Sequence, residues 1–213
     1  MPKIKISKSA PSLDMTPMVD LAFLLVTFFM LTAKFRQNEA VMISPPSSHS
    51  DKILPENVMQ VTVDTAGRVF FALDGREVRK NMLADVGSKY KLTFTEDEAK
   101  RFSLMTEFGV PVSQLQAYIK GDEKTRLKMD TESGGIPIDS LNNQLGDWIA
   151  FGWNAKQVFQ QENNIPKENW CRIAIKADGQ TNYKVIKRVI KIFQERNLNS
   201  FNLITNMETE QAE

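Results

Sequence analysis

The chain reads as a single transmembrane α-helix followed by a water-soluble α+β body, a small sheet with helices on one face, that carries a helical insertion. Three observations predict this. One apolar stretch, Thr16 to Ala33 (TPMVDLAFLLVTFFMLTA), holds a single ionisable residue, Asp20. Alternating apolar residues recur in well-separated runs, the mark of half-buried strands. Between the last two of those runs, apolar residues return at helical spacing.

The totals set bounds. The 213 residues leave room for one membrane segment and one or two modest soluble domains. Lys and Arg number 27 against 26 for Asp and Glu, so a net charge of +1 offers no long-range attraction to nucleic acid. A mean hydropathy of −0.31, with no second apolar run of membrane length, makes this a single-pass protein. The single cysteine, Cys171, excludes an intrachain disulfide and stands in no CxxC or Cys/His pattern, so it reads as a small buried hydrophobe. His49 has no companion ligands and reads as a linker residue. No GxSxG, HExxH, phosphate-binding glycine loop or Cys/His pairing is present, so the chain is not read as an enzyme, and no cofactor or metal site is expected.

Taken in order, residues 1–14 carry Lys3, Lys5 and Lys8, which hold this segment on the cytoplasmic side. Residues 15–35 form the membrane helix. A signal peptide is the competing reading, but Leu31 at position −3 from a cut after Ala33 breaks the small-x-small rule, so the anchor is expected to stay. On a helix, Thr16, Asp20, Phe23, Thr27 and Met30 share one face, to which the polar atoms of the stretch belong. A carboxylate in hydrocarbon costs on the order of 2.5–3.5 kcal/mol and typically marks ion or proton movement, so Asp20 is the first functional candidate. Thr16 and Thr27 are candidates for extending a proton path or packing helices, Thr27 having the alternative of bonding its own backbone.

Residues 36–57, with Pro45, Pro46 and Pro55, form a linker in which Ala40–Ser44 can make a short strand suited to joining a sheet edge. The soluble body, residues 58–206, opens with a β-hairpin: Val58–Asp64, a turn through Gly67, and Arg68–Leu73. After the Asp74-Gly75 turn a helix is expected over Lys80–Tyr90. Thr95-Glu-Asp-Glu98 is a capping box whose helix, on the spacing of Ala99, Phe102, Met105 and Phe108, runs to Gly109. A short helix carries Val112, Leu115, Tyr118 and Ile119. Gly121 to Pro137 reads as an exposed loop, and a longer helix is expected over Ser140–Gln161. Cys171–Ala177 is a strand, Tyr183–Phe193 an amphipathic helix with Lys184, Lys187, Arg188 and Lys191 opposite its apolar side, and Phe201–Thr205 a last strand. The basic side is read as solvated, with an anionic partner or cell-wall polymer as the lesser alternative. Residues 207–213 are an acidic tail.

Two of these stretches resemble one family. Asp14-Met-Thr-Pro-Met-Val-Asp20 followed by LAFLLVTFFM is similar to the membrane helix of ExbD/TolR proteins. Cys171–Asp178, with Tyr183 opening a helix and FNLIT closing, resembles the end of that family's periplasmic domain. The likeness covers roughly residues 10–75 and 138–206, while 79–137 departs from it as an insertion. It implies a subunit of an inner-membrane proton-channel motor that turns proton motive force into mechanical work on a periplasmic partner. It further implies two copies of the chain inside a pentamer of an ExbB/TolQ-like multi-span protein, a periplasmic homodimer, and a TonB-like or TolA-like partner or the cell wall. Asp20 matches the family's protonation site, protons being the coupling ion. Val41, Met42 and Ile43 lie where the family has a swapped strand. The rival readings are a TolR-like or flagellar-stator-like subunit that grips the cell wall, and a membrane-tethered binding or structural protein.

Overall fold

The computed structural model describes residues 15–32, 47–48, 57–204 and 206–207. It divides into two units, residues 1–37 and 38–213.

Within the first unit, α1 spans Thr16–Thr32 and buries no residue. Its Leu, Phe and Met side chains point outward on every side, from Leu25 and Phe28 at 59% exposed to Leu31 at 88%. Its 17 residues rise about 25 Å, short of the roughly 20 residues a spanning helix needs. Among the described residues no helix is long and apolar enough to cross a membrane. The expected helix over 15–35 is thus seen from Thr16 to Thr32, and residues 33–35 lie outside the described ones.

The second unit is α+β. A two-residue strand, β1 (Ser47–Ser48), precedes the hairpin β2 (Val58–Val63) and β3 (Val69–Leu73). Then come α2 (Arg76–Tyr90), α3 (Glu96–Leu104), β4 (Glu107–Phe108), a 3-10 turn (Val112–Gln114), α4 (Leu115–Lys120), α5 (Glu123–Glu132) and α6 (Gln144–Glu162). The chain closes with β5 (Arg172–Ala177), α7 (Tyr183–Glu195), β6 (Phe201–Ile204) and β7 (Asn206–Met207). Five strands form one mixed sheet in the order β4-β3-β2-β5-β6, and β1 pairs with β7 apart from it. β2 lies antiparallel to β3 and parallel to β5, which is parallel to β6.

Alternation decides the two faces of this sheet. Met59, Val61 and Val63 of β2, Val69, Phe71 and Leu73 of β3, and Ile173, Ile175 and Ala177 of β5 belong to one buried cluster with Met82, Ile149, Val189 and Phe193 from the helices. Trp148 of α6 sits at its centre, 4.7 Å from the Phe108 ring and within 6.5 Å of Phe71 and Phe102. Such aromatic stacks bury large areas and add specific edge and face contacts. On the opposite face Phe70 folds over Gly109. A Cβ at that position would lie 2.1 Å from the Phe70 ring, so only glycine fits there.

The expected hairpin, the capping box and the β5–α7–β6 end are all present. Thr95 accepts from the Glu98 N–H at 3.3 Å, while the Glu98 carboxylate accepts from the Thr95 N–H at 2.7 Å. Four expectations need correction. The helix placed at Lys80 begins at Arg76, because the buried Arg79 guanidinium donates to the Leu73 and Ser103 carbonyls and so breaks the apolar pattern. The capping-box helix stops at Leu104 rather than Gly109. Met105 turns the backbone out, and Glu107–Phe108 pair with Ala72 and Phe71 as an edge strand. The supposed loop from Gly121 to Pro137 contains α5, capped by Asp122, whose side chain accepts from the Thr125 N–H. The long helix starts at Gln144, after an Asn143 cap, instead of at Ser140. Residues 79–137 carry core side chains of their own, among them Phe102, Phe108, Val110, Leu115 and Ile119, so this segment shares the common core. Tyr90 of α2 donates to Asp147 of α6 at 2.7 Å, an anchor between the segment and the longest helix of the body.

Candidate functional site

The first candidate site is a face of α1. Proline at position 17, with its fixed φ and missing N–H, suits the first turn of a helix. The apolar run after it carries the helix on through Leu, Ala, Phe and Met. Asp20 lies one turn in, with an exposed side chain on a surface that is apolar almost everywhere else. Its carboxyl group is the one ionisable side chain of the helix.

The other polar side chains of α1 bear on that role unequally. The Thr27 hydroxyl donates to the Leu24 carbonyl at 2.9 Å, the backbone alternative weighed above. Seven residues separate it from Asp20, about two turns and 10.5 Å of rise, which is too far for a direct hydrogen bond. Thr16 is one turn from Asp20 on the same face. Thr32 lies on the opposite side of the helix, so the polar atoms of α1 do not all share one face; its hydroxyl donates to the Phe28 carbonyl at 2.8 Å. Val41, Met42 and Ile43, the expected strand segment, lie outside the described residues, as does His49.

Cys171, just before β5, is 6% exposed, and burial pushes its thiol up to about 11. That is the inert behaviour of an enclosed thiol. The amine of Lys156, also buried, donates to the Asp74 carbonyl at 2.6 Å, and burial lowers its pKa. Together with Arg79 it satisfies carbonyls at the β3–α2 turn, a structural duty. Among the described residues no group of three or more His, Cys, Asp or Glu side chains comes together to hold a metal ion.

Sequence reasoning missed one polar cluster in the body. Asp130 on α5 is 2% exposed and accepts from the Tyr118 hydroxyl of α4 at 2.9 Å. Arg68, in the β2–β3 turn, grips Asp64 with its Nε at 2.6 Å and donates to the Asp130 and Thr131 carbonyls at 3.2 and 2.6 Å. The signal available in the sequence was the pairing of Asp122 with Thr125 at a helix start. Nothing local links Arg68 to residues more than sixty positions later.

No curated protein and no solved structure matches the chain. The family model for the biopolymer transport protein ExbD/TolR matches residues 7–208, and so takes in α1, the whole sheet and the segment 79–137 that the resemblance had set apart. With nearly its whole length matched, this chain belongs to the ExbD/TolR family.

Proposed function

We propose that this chain is the proton-carrying subunit of an inner-membrane motor, with α1 as its single membrane span and Asp20 as the group that takes up and releases the proton. The N-terminal segment then lies in the cytoplasm, residues 36–57 act as a linker, and the body from Val58 onward works in the periplasm. The observation that carries this reading is α1 itself, apolar on all sides and interrupted by one carboxyl group. Such a surface suits a helix surrounded by hydrocarbon and by other helices.

The mechanism follows from charge. Protonated, Asp20 is neutral and tolerates an apolar neighbour; ionised, it is driven toward a polar crevice between helices. A unit charge moving through the membrane potential gains about 2.3 kcal/mol per 100 mV, enough to bias two arrangements of the helices. The helices that supply the crevice belong to an ExbB/TolQ-like multi-span protein, a pentamer around two copies of this chain. The two bodies form a homodimer in which Val41–Ile43 supplies a swapped strand. The work passes to a TonB-like periplasmic partner for outer-membrane transport. We assign Thr16 and Thr27 to helix packing rather than to the proton path, since Thr27 already bonds to its own backbone. A cell-wall-gripping, TolR-like role is the second reading, favoured by the exposed Lys184, Lys187 and Lys191 along α7.

Asp20→Asn tests the proposal. The variant is expected to accumulate normally and to co-purify in mild detergent with a larger multi-span membrane protein, yet to abolish proton-dependent uptake. Unimpaired uptake would reduce α1 to a tether.

A further inference from the structure

The buried carboxyl of Asp130 lies where three parts of the body meet: α5, α4 and the β2–β3 turn. Its Oδ2 accepts from Tyr118 at 2.9 Å, while its Oδ1 is buried without a well-aligned hydrogen bond. Every element around it contributes a named group. Tyr118 faces it from α4, Arg126 comes from one turn earlier on α5, and Arg68 reaches over from the hairpin turn to the last carbonyls of α5. The Gly109 backbone N–H comes from the end of β4, and the half-turn beyond α5 is pinned by Ser133, whose hydroxyl donates to the Gly109 carbonyl at 2.9 Å. Glu107 of β4, 8% exposed, adds a second negative charge near Tyr118. The chain after α5 is held close. At Gly135, φ +85°, a Cβ would lie 2.5 Å from the Val69 nitrogen, and the Ile136 N–H donates to the Val69 carbonyl at 2.9 Å.

We propose that Asp130 is a proton-operated latch: with its proton it keeps α5 seated against α4 and the hairpin turn, and without it α5 opens locally. The physical reason is the cost of enclosing a charge that lacks a full set of donors. Burial is the largest influence and raises the carboxyl from 3.8 to about 6, against the opposing pull of Tyr118, the Gly109 N–H, Arg126 and Arg68. When α5 opens, water solvates the carboxylate and the group returns to its ordinary range. The closed form therefore binds the proton more tightly than the open one. Closure is fully favoured below about pH 3.8, and that advantage is lost as pH climbs to about 6, after which no further change follows. The two values differ by about two pH units, so the opening constant rises by up to about a hundredfold over this window. Opening frees the Arg68 guanidinium from two carbonyls and loosens the tie between segment 79–137 and the sheet. The latch operates whether or not α1 enters a membrane.

Hydrogen exchange on the full chain in detergent micelles, from pH 4 to 8 and corrected for intrinsic exchange, measures the opening constant of α5 directly. In the wild type it is expected to rise between about pH 4 and 6 and then level off, while α7 shows no matching step. Asp130→Asn should be flat across the range. Tyr118→Phe, which removes a donor that favours the carboxylate, should move the step to higher pH. A flat α5 profile in the wild type, the wild-type step persisting in Asp130→Asn, or an unmoved step in Tyr118→Phe would each overturn the latch. Should Asp130→Asn lose its fold, shown by exchange of α7, the wild-type and Tyr118→Phe profiles decide.

Discussion

The helices α1 and α7 are both rich in apolar residues, and they solve opposite problems. In α7, Val189, Ile192 and Phe193 turn to the core while Lys184, Lys187 and Lys191 face out, so one helix separates a dry side from a wet one. In α1 no side chain is buried and no such division exists; apolar residues point everywhere and Asp20 is its one ionisable residue. An amphipathic helix is stabilised by a single interface between water and a folded core. A helix apolar all round gains nothing from one such interface and needs an apolar medium on every side. The same residue types thus give an amphipathic helix in one place and a uniformly apolar one in the other through their arrangement alone.

Truncating one ring in each region tests this difference most sharply. Phe193 in α7 is fully enclosed, so Phe193→Ala is expected to cost about 3–5 kcal/mol of unfolding free energy for the full chain in detergent, read by denaturant titration. Gly109→Ala follows, at about 1–3 kcal/mol, since its Cβ would press into the Phe70 ring and displace it. Phe29→Ala in α1 should change that stability by no more than about 0.5 kcal/mol. A cost above about 1 kcal/mol at Phe29 would break the contrast, because it would mean that α1 is seated against a folded surface.

The sequence made the β2–β3 hairpin and the β5–α7–β6 unit plain and left the stretch between them less so, for identifiable reasons. Strict alternation from Cys171 to Ala177 and helical spacing from Tyr183 to Phe193 each satisfy one structural period, so both elements are where they were expected. Ala99, Phe102, Met105 and Phe108 also keep helical spacing, but the last two reach the core from an extended turn and an edge strand. Spacing alone does not tell a continuing helix from a chain that leaves it while still pointing inward. α5 was missed because Leu127 and Met129 are its only large apolar residues and give it no apolar stripe. Its start signal, Asp122, lay among charges that read as a loop. Asp20 stands out as a candidate because a carboxyl group in an apolar run is conspicuous by composition. Asp130 does not, because its enclosure depends on Tyr118 and Arg68, which tertiary folding brings to it.

The placement of β2 has a mechanical consequence. After Asn57 the chain passes straight into a strand flanked by β3 on one side and β5 on the other, with Val58–Val63 matched residue for residue to Arg172–Ala177. A tension drawn through Asn57 pulls that interior strand along its own axis. Both ladders are then loaded in shear, with their bonds sharing the force, instead of being peeled one bond at a time from a margin.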